Sequence, residues 1–174
     1  DQGDVQSIPV TTSPNWVMSS ADFNYAVGGQ FYLNVFDFET GQITGSSQGI
    51  PIQNGAVSPA GNRIVATDPL RYEGLDYYEF EDPTDLNYEG RSPTGSAFEA
   101  DASYSVTLAE DLSKALVANT LSSTISIVDL EDESLEAIIP LGSPETYYSA
   151  IGADGRYAYV PKRQENEVAV IDLL

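Results

Sequence analysis

Residues 72–85 gather Glu73, Asp76, Glu79, Glu81, Asp82 and Asp85 around Tyr72, Tyr77 and Tyr78. Closely spaced carboxylates can hold Ca2+ through their oxygens, and a pair of them can hydrolyse a glycosidic bond. The spacing fits no EF-hand loop, however. On a strand, alternate side chains point to opposite faces, so these carboxylates cannot all converge. The favoured reading is a solvated strand edge blunted by charge. Asp129-Leu130-Glu131-Asp132-Glu133-Ser134 reads similarly, as a charged hairpin tip.

Other chemistry is removed by absence. The 174 residues include no Cys and no His. Thiolate nucleophiles, zinc–thiolate sites, Ser-His-Asp triads and His-ligated metals are therefore excluded. Lys114 and Lys162 are the only lysines, and both adjoin exposed strands, a poor setting for a depressed pKa. No Gly-rich phosphate loop occurs, and Gly28-Gly29 reads as a hairpin turn between Val27 and Phe31. No catalytic residue is assigned and no organic cofactor is expected; Ca2+ is the one ion that the carboxylates suit.

With 27 Asp and Glu against 7 Lys and Arg, the net charge is −20. Such a surface repels phosphate, which argues against nucleic acid and against an anionic membrane. The acidic, polar start does not read as a signal peptide. An acidic, Lys-poor surface suits an extracellular or cell-surface setting, with the periplasm as a variant.

The elements that must position any site are strands. Short apolar runs are broken every few residues by Gly, Pro, Asn and Asp. Four segments match: Leu33-Asn34-Val35-Phe36-Asp37, Leu75-Asp76-Tyr77-Tyr78-Glu79, Ile125-Ser126-Ile127-Val128-Asp129 and Val168-Ala169-Val170-Ile171-Asp172. Their closing acids recur at steps of 42, 50 and 43 residues, the differences between those positions. Each acid is expected to accept hydrogen bonds from the turn that follows. A strand precedes each (24–27, 63–67, 114–119, 156–161), and another lies before that (16–19, 55–58, 104–108, 147–151). Ile-Pro segments (7–10, 50–52, 138–141), and a degenerate one at 86–90, read as outer edge strands, because Pro cannot donate to a ladder. The repeats fall at about 11–53, 54–92, 93–141 and 142–174, with 5–10 expected to complete the last one.

Gly155-Arg156-Tyr157-Ala158-Tyr159-Val160-Pro161, followed by Glu167-Val168-Ala169-Val170-Ile171-Asp172, resembles the YVTN-type β-propeller repeat of surface-layer and related proteins. Ala115-Leu116-Val117-Ala118-Asn119 with Thr124 to Asp129 matches as well; units one and two match more weakly. Pro161 departs from the family's Thr or Ser. The resemblance implies an all-β propeller with four repeats of four-stranded antiparallel blades. These could form a closed four-bladed ring or half of a larger propeller, the latter completed by a homodimer or by missing blades from a longer chain. Propellers of this type include binding proteins, lactonases and dehydrogenase subunits, so the resemblance speaks to fold more than to function.

First strands line the channel of a propeller, which makes Trp16, Tyr104 and Tyr147 candidates for stacking on sugars or small ligands. Arg63 and Arg156 occupy matched positions after the turns and could grip a carboxylate. Asp22, Asp111 and Asp154 occupy matched turn positions and could ring one end of the channel as metal ligands. The reading reached is a non-enzymatic binding or scaffold module for a protein, glycan or small molecule. The alternatives are a metal-dependent lactonase-like hydrolase of the propeller class, or a propeller subunit of a larger assembly.

Overall fold

Runs of β-branched and aromatic residues punctuated by turn formers pair locally, each strand with the next in sequence. A computed structural model describes residues 16–19, 25–29, 33–46, 52–58, 62–68, 74–79, 84–95, 103–109, 113–142 and 145–174. Every regular element among them is a strand. The first sheet holds β1 (Trp16–Ser19), β2 (Tyr25–Gly29), β3 (Leu33–Asp37) and β4 (Gln42–Ser46) in chain order. The second holds β5 (Asn54–Val57), β6 (Arg63–Thr67), β7 (Leu75–Glu79) and β8 (Asn87–Ser92). The third holds β9 (Ser103–Leu108), β10 (Lys114–Asn119), β11 (Thr124–Asp129) and β12 (Ser134–Pro140). The fourth has three strands among the described residues: β13 (Ala150–Ile151), β14 (Tyr157–Lys162) and β15 (Glu167–Asp172). The segment 5–10, expected to complete it, lies outside the described residues.

All pairing is antiparallel, and the repeat extends to its irregularities. The register slips between Val35 and Phe36, between Tyr77 and Tyr78, and between Ile127 and Val128. These are matched places, one and two residues before Asp37, Glu79 and Asp129. Each slip places one extra residue in the outer strand, a bulge that bends the strand and increases its twist.

The core lies between sheets. Val27, Leu33 and Val35 pack against Ile64, Ala66 and Tyr78. Val65, Leu75 and Tyr77 pack against Val106, Ala115, Val117 and Val128. Leu116, Ala118 and Ile125 pack against Ala158, Val160 and Ile171. Alternate residues of β10 thus serve two different cores. The central strands of the first three sheets are buried on both faces, which explains their unbroken apolar runs.

Three expectations are corrected. The outer strand of the first sheet is Gln42–Ser46, not the Ile50–Ile52 segment. A tight turn closes directly after Asp37, with the Gly41 N–H donating to the Asp37 carbonyl at 2.9 Å, so β4 starts at once. Ile52 is instead fully buried in the core between sheets one and two. Gly28 and Gly29 are strand residues, paired with Val17 and Trp16 on one side and Asn34 and Leu33 on the other. Gly28 is there because β1 crosses too closely for a side chain: a Cβ would sit 2.5 Å from the Trp16 carbonyl oxygen. The first strand of the last unit is also shorter than read, only Ala150–Ile151.

Candidate ligand-binding site

The inner strands β1, β5 and β9, and the run leading into β13, bring their starting ends together. A cavity of about 460 Å³ opens there, lined among the described residues by Trp16, Gln53, Asn54, Tyr104 and Tyr148. That volume suits a small organic ligand. Backbone and hydroxyl contacts hold the walls. Thr67 Oγ1 lies 3.2 Å from the carbonyl oxygens of both Asn54 and Tyr104, tying β5 to β9. The Val106 N–H donates to Asn54 Oδ1 at 3.4 Å. Thr107 Oγ1 donates to the Ser149 carbonyl at 2.9 Å, tying β9 to the segment before β13.

The aromatic wall is built edge to face. The Tyr104 ring lies 5.0 Å from Tyr147 and 5.6 Å from Tyr148, centroid to centroid, nearly perpendicular to both. This geometry aligns the ring quadrupoles favourably. Tyr148 stays 56% exposed, and hydrogen bonding with Tyr104 raises its phenol above the usual value. The Trp16 indole packs against Gly55, where a Cβ would come within 2.6 Å of it. The Trp16 indole nitrogen is shielded from solvent and has no hydrogen-bond partner in the structure.

The structure thus brings Trp16 and Tyr104 to one cavity, with Tyr147 behind it against Tyr104. Arg63 and Arg156 lie elsewhere. Asn54 pairs with Thr67, whereas Arg63 is at the far end of β6, about 13 Å away at the rise of a strand. Arg63 reaches to the third sheet, donating to the Leu130 carbonyl at 3.1 Å and pairing with Glu133, while its guanidinium stacks 4.8 Å above the Tyr77 ring. Arg156 holds Asp172 through two nitrogens at 3.3 and 2.9 Å. Asp154 Oδ1 accepts the Arg156 backbone N–H at 3.1 Å, as a turn carboxylate does. Asp22 and Asp111 lie outside the described residues. Among the described residues no group of three or more carboxylates is placed to hold a metal ion.

Three of the four repeated acids behave as turn acceptors; Glu79 instead lies 3.7 Å from Arg63 Nε, and the turn after it is outside the described residues. Asp37 accepts from Thr40 N–H at 2.8 Å, and Asp129 from Glu131 and Asp132 N–H at 2.8 and 3.0 Å. Asp172 accepts from Leu174 N–H at 3.3 Å. Backbone donors hold the Asp37 and Asp129 carboxyls below the usual carboxylate value, and Arg156 does so for Asp172.

Sequence reasoning missed two features. The first is Gln53 and Asn54, whose amides carry no signature and are found only by the cavity. The second is a buried ion cluster in the second sheet. Arg91 Nε donates to Asp76 Oδ1 at 2.7 Å, and its terminal nitrogen reaches Asp76 Oδ2 at 2.7 Å and Asp68 Oδ2 at 2.9 Å. Both carboxylate side chains are fully buried. Asp76, a candidate calcium ligand by composition, is thus held by a guanidinium.

No family model and no curated protein matches the chain. Solved structures do. A chain of hydrazine synthase from Kuenenia stuttgartiensis superimposes with a TM-score of 0.79 at 16% identity, over 98% of this chain and 50% of that one. The β-propeller domain of Cps50 (Swd1) from Myceliophteria thermophila superimposes at 0.78 with 12% identity, over 92% of this chain and 54% of that one. The fold is that of a β-propeller, and the four sheets are its blades. The chain spans about half the length of each of these two structures.

Proposed function

We propose that the chain is a non-enzymatic binding module, part of a secreted or cell-surface propeller of divergent YVTN type, that holds a neutral polyhydroxyl ligand such as a glycan. One observation carries this reading. In a chain with a net charge of −20, the described residues lining the cavity are all uncharged: two kinds of aromatic ring and two amides. Aromatic faces stack on the C–H faces of sugars, while amides pair with hydroxyls. A charged ligand would leave its charge without a counter-charge in the cavity, which costs free energy. The buried Asn119 of the third blade supports the repeat type: its amide donates to Ser126 Oγ at 2.6 Å and Thr124 Oγ1 at 3.1 Å, locking the end of β10. A location outside the cell is part of the same reading, supported by the acidic, Lys-poor composition.

Trp16 is the only tryptophan, so its emission reports this cavity alone. Titration with a panel of neutral mono- and oligosaccharides is expected to give a saturable change in that emission. Tyr148→Ala is expected to weaken it roughly three- to tenfold, as loss of an aromatic contact of about 0.5–1.5 kcal/mol would. A panel without any saturable change would sink the reading.

A further inference from the structure

Superposing the blades on one another sorts every inner position by the neighbour it faces. Toward the following blade point Val27, Leu33 and Val35 in blade one, Val65, Leu75 and Tyr77 in blade two, and Leu116 and Ile125 in blade three. All are buried. The matched residues of blade four are Tyr159, Pro161, Val168 and Val170. Tyr159 pairs directly with Val170, and Pro161 with Val168, so the four form one continuous apolar face. It is uncovered: Tyr159 is 43% exposed, and Val168 and Val170 are 60% exposed each. The opposite face of the same blade, Ala158, Val160 and Ile171, is buried against blade three.

A closed four-bladed ring would lay blade one on this face. Among the described residues no apolar cluster joins blade four to blade one; the three clusters join one to two, two to three and three to four. Among the described residues the four blades form an open arc. We infer that the Tyr159–Pro161–Val168–Val170 face is the seat of a fifth blade, supplied by a longer form of this same polypeptide. Two observations select that occupant. The face repeats the side-chain pattern that a following blade covers three times already. The superimposed β-propeller domain is matched over only 54% of its length, so about half of that propeller lies outside the blades superimposed here.

These 174 residues hold no cysteine, so a thiol introduced among them is read without interference in the peptide that carries it. Val170→Cys and, as a reference, the exposed turn position Leu121→Cys are made separately in the complete natural polypeptide, and the rate of maleimide labelling is compared. A thiol beneath a packed blade reacts only on opening, so Cys at 170 is expected to label at least about tenfold more slowly than Cys at 121, at every protein concentration. Equal rates overturn the inference. Protection that fades on dilution also overturns it, and assigns the face to a second copy instead. Val168→Cys, on the same face, repeats the reading should one variant fold poorly.

Discussion

Removing the Arg91 side chain would leave Asp68 and Asp76 buried without their cation. Breaking one partner out of a buried ion cluster costs about 3–5 kcal/mol, far more than the cluster is worth relative to apolar packing. Arg91→Ala is therefore expected to lower the unfolding free energy by about that amount in urea denaturation; a loss below about 1 kcal/mol would show that the carboxylates find water. Asp129 makes a pH-dependent prediction. Its folded pKa is lowered by backbone donors in the following turn, so its contribution is present above the ordinary carboxylate value and lost as pH falls through the lowered one. Asp129→Ala should melt at a lower temperature than the parent at pH 7, with the gap closing as pH falls through the lowered carboxyl value. Asp129→Asn, which keeps the accepting oxygen, should lie between them. At this scale the sequence was half legible. The turn acids are local, three or fewer residues from their donors, so spacing alone identified their partners. Arg91 lies 23 residues from Asp68 and Arg63 lies 70 from Glu133; no spacing rule pairs such residues.

Strands were legible wherever alternation and turn chemistry agreed, as at Arg63–Thr67 and Lys114–Asn119, which stand where the sequence placed them. They were misread where one strong local signal hid a weaker one. Ile-Pro looked like an edge strand, whereas Gln42–Ser46, with little apolar content, is the strand that follows the tight turn. Gly28-Gly29 looked like a turn because close approach by a neighbouring strand leaves no trace in local composition. That approach gives a prediction for β1 and β2 together. Gly28→Ala places a methyl group 2.5 Å from the Trp16 carbonyl oxygen and 2.6 Å from Val17 Cγ2. Backbone must move to relieve it, at a cost of about 1–3 kcal/mol. Because Trp16 moves with β1, the variant should show a shifted tryptophan emission as well as a lower Tm; unchanged emission would mean that β2 yields instead.

For the whole molecule, charge and site separate cleanly. Arg63, Arg91, Lys114, Arg156, Lys162 and Arg163, the described cations, each sit in an ion pair with Asp or Glu. Most of the 27 acids therefore repel one another across the surface, and compaction brings them closer. Salt should relieve this. Raising NaCl from about 20 mM to 500 mM shortens the screening length from roughly 20 Å to about 4 Å, so Tm should rise across that range. The cavity should not respond. Its described lining is uncharged, so a neutral ligand keeps its affinity from low salt to high, while an anionic ligand repelled by the net charge would bind more tightly as salt rises. Measuring Tm and the Trp16 titration in the same salt series tests both statements at once. A rising Tm with constant affinity fits a neutral guest in an acidic shell; an affinity that climbs alongside Tm would place negative charge on the ligand, and one that falls would place positive charge there.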